Sequence, residues 1–240
     1  MSTLNSTPAR VRMGLIRKQP DWSVERFDAY WRDQHGPLAA RVPGLRGYWQ
    51  NAVTDRLQRG IDFARGPWDF DGFSQLWFDS ASLSQAAFGQ DDLAQALIAD
   101  EQHFLSGLHI VTTEQTEVIA LPEDAADRAR LLKRISTLQR RPDLSEDDFR
   151  REWRVHAGLV RTMPGVSGYR QNVVVERERI KGQPCGYEDL PIDGIVELWF
   201  ESPELLNAAF ASPAGQRTMA HAKTFLAEIT AFLVTERRIV

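Results

Sequence analysis

The chain has 240 residues, of which 42% are hydrophobic and 26% charged, and its formal net charge is −4. That balance suits a globular protein with room for one large or two small domains, and Lys/Arg interleaved with Asp/Glu offer no basic stripe for a phosphate backbone, so nucleic acid is excluded as an expected partner. A single cysteine, Cys185, rules out a disulfide framework, and with no leader-like start and no apolar run near the ~20 residues that span a bilayer, a soluble, cytoplasmic protein without a membrane partner is expected.

Residues 11–17 alternate weakly, as a strand does. Pro20-Asp21 then turns the chain so that Ser23 can cap a helix. Along that helix Val24, Phe27, Trp31, His35 and Leu38 recur at helical spacing and form an apolar stripe that must face a sheet. Pro43-Gly44 ends it, and residues 45–53 read as a second strand in which Arg46, Tyr48 and Gln50 share a face. Residues 54–70 are polar, carry Gly60, Gly66 and Pro67, and should form a surface excursion near a pocket mouth. Residues 73–78 predict a third strand, 82–104 a second helix, and 109–119 a fourth strand rich in Val, Ile and Thr. The order is βαββαβ.

The chain then repeats itself at an offset of 121 to 122. Pro20-Asp21 returns as Pro142-Asp143, Phe27 and Trp31 as Phe149 and Trp153, His35 as His156, and Pro43-Gly44 as Pro164-Gly165. Gly47-Tyr48 returns as Gly168-Tyr169, Gln50-Asn51 as Gln171-Asn172, Asp71-Gly72 as Asp193-Gly194, and Leu76-Trp77-Phe78 as Leu198-Trp199-Phe200. Residues 120–129 are a polar linker holding Pro122, which divides the chain into repeats at 11–119 and 130–240, and residues 176–192 are the second expected excursion. Two helices on one face of a four-stranded antiparallel sheet leave the other face apolar and in need of a partner. The second copy supplies it, giving an α+β pseudo-dimer with sheet packed on sheet and four helices outside. Two separate domains on a tether fit less well, since the linker is short and lacks flexible Gly/Ser sequence.

The ordered set Phe27, Trp31, His35, Pro43-Gly44, Gly47-Tyr48, Gln50-Asn51, Asp71-Gly72 and Trp77-Phe78, written again in the second copy, resembles the EthD domain of the dimeric α+β barrel superfamily. The resemblance covers all but the N-terminal tail and the linker. It implies two ferredoxin-like repeats forming an intramolecular dimeric α+β barrel, a fold that hosts isomerases, cyclases, decarboxylases and cofactor-free monooxygenases. It also implies that His35, Tyr48, His156 and Tyr169 belong to active sites, as the matching His and Tyr do in methylmuconolactone methylisomerase.

Residue chemistry agrees. A neutral imidazole can act as a general base near neutral pH, and a Tyr hydroxyl beside it can donate to a developing enolate. Each Tyr follows its His by thirteen residues, on a strand that the helix should cover. Trp31, Gln50, Trp153 and Gln171 are supporting candidates. On the second helices Asp100 stands opposite His221, so Asp100 could orient His35 while His221 gives the second pocket a different proton inventory. On the third strands Gln75 stands opposite Glu197, a further candidate for the second pocket. No pair of the five histidines has a metal-ligand spacing, and no phosphate-cradling glycine loop occurs, so neither a metal nor a bound nucleotide or flavin cofactor is expected.

These readings lead to an enzyme without a bound cofactor that moves a proton on a small apolar carbonyl, lactone or phenolic substrate, of isomerase, lyase or cyclase type. An oxidoreductase, as a cofactor-free monooxygenase or an accessory to an oxygenase, and a non-catalytic small-molecule binding protein are the alternatives. A monomer should suffice, with room left for a further homodimer.

Overall fold

In the computed structural model, which describes residues 9–78, 92–180 and 182–240, both copies follow the expected order. The first contains β1 (Ala9–Lys18), α1 (Val24–Tyr30), a five-residue π-helical turn (Trp31–His35), α2 (Gly36–Ala39), β2 (Leu45–Asp55), β3 (Gly72–Phe78), α3 (Asp92–Phe104) and β4 (Leu105–Ile119). After α4 (Ala125–Ala129) the second contains β5 (Leu132–Arg140), α5 (Glu146–Val160), β6 (Gly168–Ile180), the short β7 (Gln183–Pro184), β8 (Gly194–Phe200), α6 (Pro203–Ala211), α7 (Pro213–Phe225) and β9 (Leu226–Arg238). The start of the helix predicted over residues 82–104 lies outside the described residues; its last thirteen form α3.

Each half is an antiparallel sheet, β4-β1-β3-β2 in one and β6-β8-β5-β9 in the other. The halves also bond edge to edge: β2 pairs with β9 and β4 with β6, both antiparallel. Eight strands thereby close into a barrel, and the described strands leave no long sheet edge open. The strand period of two then divides the side chains between two surroundings. Val11, Met13, Phe73 and Val111 meet Ile135, Val174, Ile195 and Phe232 in one apolar core inside the barrel. The alternate residues face the helices, where Phe27, Trp31 and Phe104 in one half and Phe149, Trp153 and Phe225 in the other form matching aromatic clusters.

The repeated Asp-Gly pair has a packing explanation. Asp71 accepts from the Lys18 amide at 2.9 Å and Asp193 from the Arg140 amide at 2.8 Å, tying strand ends together. A Cβ on Gly72 would lie 2.5 Å from the Trp31 ring, and one on Gly194 equally close to Trp153. Only glycine lets the helix tryptophan settle on the strand. Gly194→Ala should therefore lower stability by about 1–3 kcal/mol through overpacking. A urea midpoint shifted downward at unchanged slope is the expected observation.

The two excursions differ from expectation and from each other. The first crosses onto the other half: Gln58 and Arg65 hydrogen-bond to the backbone of β9, and Ile61 enters the C-terminal half's helix–sheet space. In the second, β6 continues as a strand to Ile180, and Leu190 and Ile192 are buried in the barrel core. Each excursion is thus only partly a surface feature, since Phe70 of the first joins Leu190 and Ile192 in the same core.

Candidate active site

Among the described residues, a cavity lies between helices and sheet in each half. The first, partly open to solvent, is lined by His35, Tyr48, Arg12 and Glu101 with walls from Ile16, Leu97, Phe104 and Leu108. The second, likewise partly open, is lined by His156, Tyr169, Trp153 and Arg134 with walls from Met163, Leu198, Phe210 and Met219. Each predicted His/Tyr pair therefore borders one cavity.

The two histidines reach these positions differently. His156 is the third residue after Trp153 on the regular helix α5, whereas His35 is the fourth after Trp31. The extra residue is absorbed by the π-helical turn, in which the Gly36 amide donates to the Trp31 carbonyl five residues back. The inserted residue thus leaves His35 on the sheet-facing side, and it explains why the repeat offset drops from 122 to 121 at this point. Insertions of this kind are frequent at functional sites.

His35 Nδ1 lies 2.7 Å from Asp100 Oδ2, and the Tyr30 hydroxyl donates to Asp100 Oδ1 at 2.6 Å. Burial pushes the Asp100 carboxyl up, but the bonds from His35 and Tyr30 outweigh it and hold the group below the ordinary aspartate range. Burial, helped by Asp100, in turn pushes the Tyr30 hydroxyl up to about 12. An ionised Asp100 facing Nδ1 holds a ring proton there, which leaves Nε2 as the nitrogen that can take up a proton.

Tyr48 is held in place by Gln50, whose Nε2 donates to the Trp31 carbonyl at 2.7 Å and to the Tyr48 hydroxyl oxygen at 3.0 Å. The hydroxyl's own proton has no acceptor among the described residues. Burial pushes its pKa above the usual tyrosine range, so it remains a donor. Gln50 is fixed from the other half: its Oε1 accepts from Arg237 Nε at 2.7 Å, and Arg237 pairs with Asp28 at 2.6 Å.

The second cavity keeps the Tyr arrangement and changes the His one. Gln171 Nε2 donates to the Trp153 carbonyl and to the Tyr169 hydroxyl, both at 2.7 Å. His156 Nδ1, however, faces His221 Nδ1 at 3.3 Å, and His221 Nε2 lies 3.5 Å from Glu152. Burial, with a smaller contribution from His221, pulls His156 down to about 3. It is a neutral ring at physiological pH and a weak proton acceptor. The triplet Tyr30, His35 and Asp100 is replaced position by position by Glu152, His156 and His221.

Glu197 is corrected. It projects into the barrel rather than into the second cavity, because its neighbour Leu198 lines the cavity and successive strand residues point to opposite faces. There it pairs with Lys133 at 2.7 Å and accepts from Asn172 at 2.9 Å. Asn51 and Asn172 share that interior, so the repeated Gln-Asn pair sends Gln to the helix side and Asn to the barrel side. Four residues that matter at the cavities, Arg12, Arg134, Tyr30 and Glu152, are not among the candidates that the sequence motifs single out. Each occupies a matched position in the repeat.

Among the described residues, no cluster of three or more His, Cys, Asp or Glu is disposed to hold a metal ion, and no helix is long and apolar enough to cross a membrane.

A closed antiparallel barrel of two βαββαβ halves, with a cavity under the helices of each half, defines a dimeric α+β barrel folded from one chain. The family model described as the EthD domain matches residues 19–107 and again 141–228. The protein belongs to the EthD family, in tandem form. Among solved structures, an anthrone oxidase-like protein has 11% identity and a TM-score of 0.64, covering 98% of this chain and 94% of its own. A mutant chlorite dismutase from Candidatus Nitrospira defluvii has 10% identity and a TM-score of 0.52, with 96% and 93% covered. A dye-decolorizing peroxidase from Bacteroides thetaiotaomicron VPI-5482 has 8% identity and a TM-score of 0.50, with 96% and 93% covered. At these identities the likeness is one of fold. No curated protein matches the chain in sequence.

Proposed function

We propose that the protein is an enzyme that removes a proton from a small, largely apolar carbonyl, lactone or phenolic substrate in the first cavity. The observation that carries this is the chain Tyr30–Asp100–His35, with bonds of 2.6 and 2.7 Å, ending at a cavity that Tyr48 also lines. His35 is the base, oriented and charge-compensated by Asp100. Tyr48 donates to the oxyanion that forms as the proton leaves. Apolar walls strengthen both interactions by excluding water. Tyr48→Phe should lower turnover by about 10²-fold while leaving substrate affinity nearly unchanged, since the hydrogen bond strengthens in the transition state. Equal losses in binding and turnover would contradict that role.

Isomerisation, cyclisation and bond cleavage all follow from the same carbanion. So does attack on oxygen, the outcome to which the fold likeness to an anthrone oxidase-like protein draws attention. Oxygen uptake in step with substrate loss identifies the oxidative outcome; substrate loss without it identifies the others.

A further inference from the structure

Arg12 and Arg134 are the same residue of the repeat, each reaching its own cavity from the first strand of its half. Their partners differ. Arg12 makes a two-pronged bond to Glu178, at 2.6 and 2.7 Å. Glu178 is available because β6 continues to Ile180. The matching strand β2 stops at Asp55, and among the described residues no carboxylate pairs with Arg134. Arg134 instead donates from Nη1 to the Arg59 carbonyl at 2.7 Å and from Nε to the Ser136 hydroxyl at 3.2 Å, both uncharged. Two of the five guanidinium N–H groups are thus used, Nη2 has no hydrogen-bond partner among the described residues, and the one further contact of the group is the Phe210 ring, 4.9 Å from Cζ to the centroid.

Arg134 is only 3% exposed. A buried guanidinium without a counter-anion is costly, and here desolvation alone pulls its pKa down to about 10. It remains a cation at neutral pH. The Tyr169 hydroxyl, accepting from Gln171, adds a donor to the same cavity, and His156 stays neutral. Met163, Leu198, Phe210 and Met219 make the remaining wall apolar.

We propose that the second cavity is a binding site for an organic carboxylate with an apolar body, held by the Arg134 guanidinium as its missing counter-anion and by the Tyr169 hydroxyl. The site is independent of the chemistry in the first cavity. A carboxylate matches the guanidinium fork in two parallel bonds, and its aryl or alkyl body fills the apolar part.

Isothermal titration of the full chain with 3-phenylpropanoate and with its neutral amide, 3-phenylpropanamide, tests this directly. The carboxylate should bind at least about tenfold more tightly, since a hydrogen-bonded charge contributes at that level. Arg134→Gln should bring the two ligands to within about twofold, Arg134→Lys should keep a preference for the carboxylate, and Arg12→Gln should leave the preference unchanged. Equal binding of acid and amide by the wild-type protein, or binding of neither, would overturn the proposal without any variant having to fold. A preference that survives Arg134→Gln or disappears in Arg12→Gln would place the anion site elsewhere.

Discussion

His35→Ala should lower the rate of proton removal from substrate by about 10²- to 10⁴-fold, the range for loss of a positioned general base. His156→Ala should leave that rate within about threefold, because a ring pulled down to about 3 has little tendency to take a proton. Asp100→Asn tests the positioning residue. It keeps a group of the same shape beside His35 but removes the charge, a loss of about 1.5–3 kcal/mol for a charged hydrogen bond, or roughly 10- to 100-fold in rate. Substrate affinity should be nearly unchanged, since Asp100 acts through His35 and does not line the cavity. A structural role alone would instead lower the melting temperature and affinity together.

Lys133→Met should destabilise the fold by about 3–5 kcal/mol, the cost of stripping one partner from a buried ion pair. Lys133 is 1% exposed and Glu197 fully buried; Lys133 also pairs with Glu236 and donates to Gln75 at 3.2 Å. At roughly 2–4 °C per kcal/mol for a chain of this size, the melting temperature should fall by about 6–20 °C. The double variant Lys133→Met/Glu197→Gln should recover part of the loss, since no unpaired charge then remains at Glu197. pH gives an independent reading of the same cluster. Burial raises the Glu197 carboxyl, but Lys133 and Arg170, with hydrogen bonds from Lys133 and Asn172, outweigh it and hold it below its ordinary value near 4.5. The stabilisation is therefore fully present above about pH 4.5 and is lost as pH falls through the lower folded-state value. Glu197→Gln should flatten that acid limb. A limb as steep as that of the wild-type protein would show that other carboxylates cause it.

The fold was legible because duplication wrote each element twice and because helix and strand periods are clear in both copies. The barrel's edge pairing was less so. Which edges meet depends on β2 lying beside β9 and β4 beside β6, contacts between residues far apart in the sequence. At the site, the His/Tyr pairs and the exchange of Asp100 for His221 could be read from alignment of the copies. The exchange of Tyr30 for Glu152 lay in the same alignment but is informative only once the helices are packed, when each side chain meets its partner on the second helix of its half. The π-helical turn left a trace, the one-residue change in offset between Trp31 and His35, which does not by itself say whether a helix bulges or a loop lengthens. The place of Glu197 follows from strand faces counted from Leu198, which the change of charge at its matched position does not show. The match of Arg134 to Arg12 was legible in the repeat, but its lack of a carboxylate was not, because that depends on how the chain packs after β2 ends.

Solvent-deuterium incorporation measures proton removal from carbon in the first cavity whatever the later chemistry. A panel of small carbonyl, lactone and phenolic compounds is incubated in D₂O with the wild-type protein, His35→Ala and His156→Ala, and exchange at acidic C–H positions is followed by NMR. The expected result is exchange catalysed by the wild-type protein and by His156→Ala, with loss of about 10²-fold or more in His35→Ala. Exchange that persists in His35→Ala and disappears in His156→Ala, or no catalysed exchange across the panel, would contradict proton removal by His35.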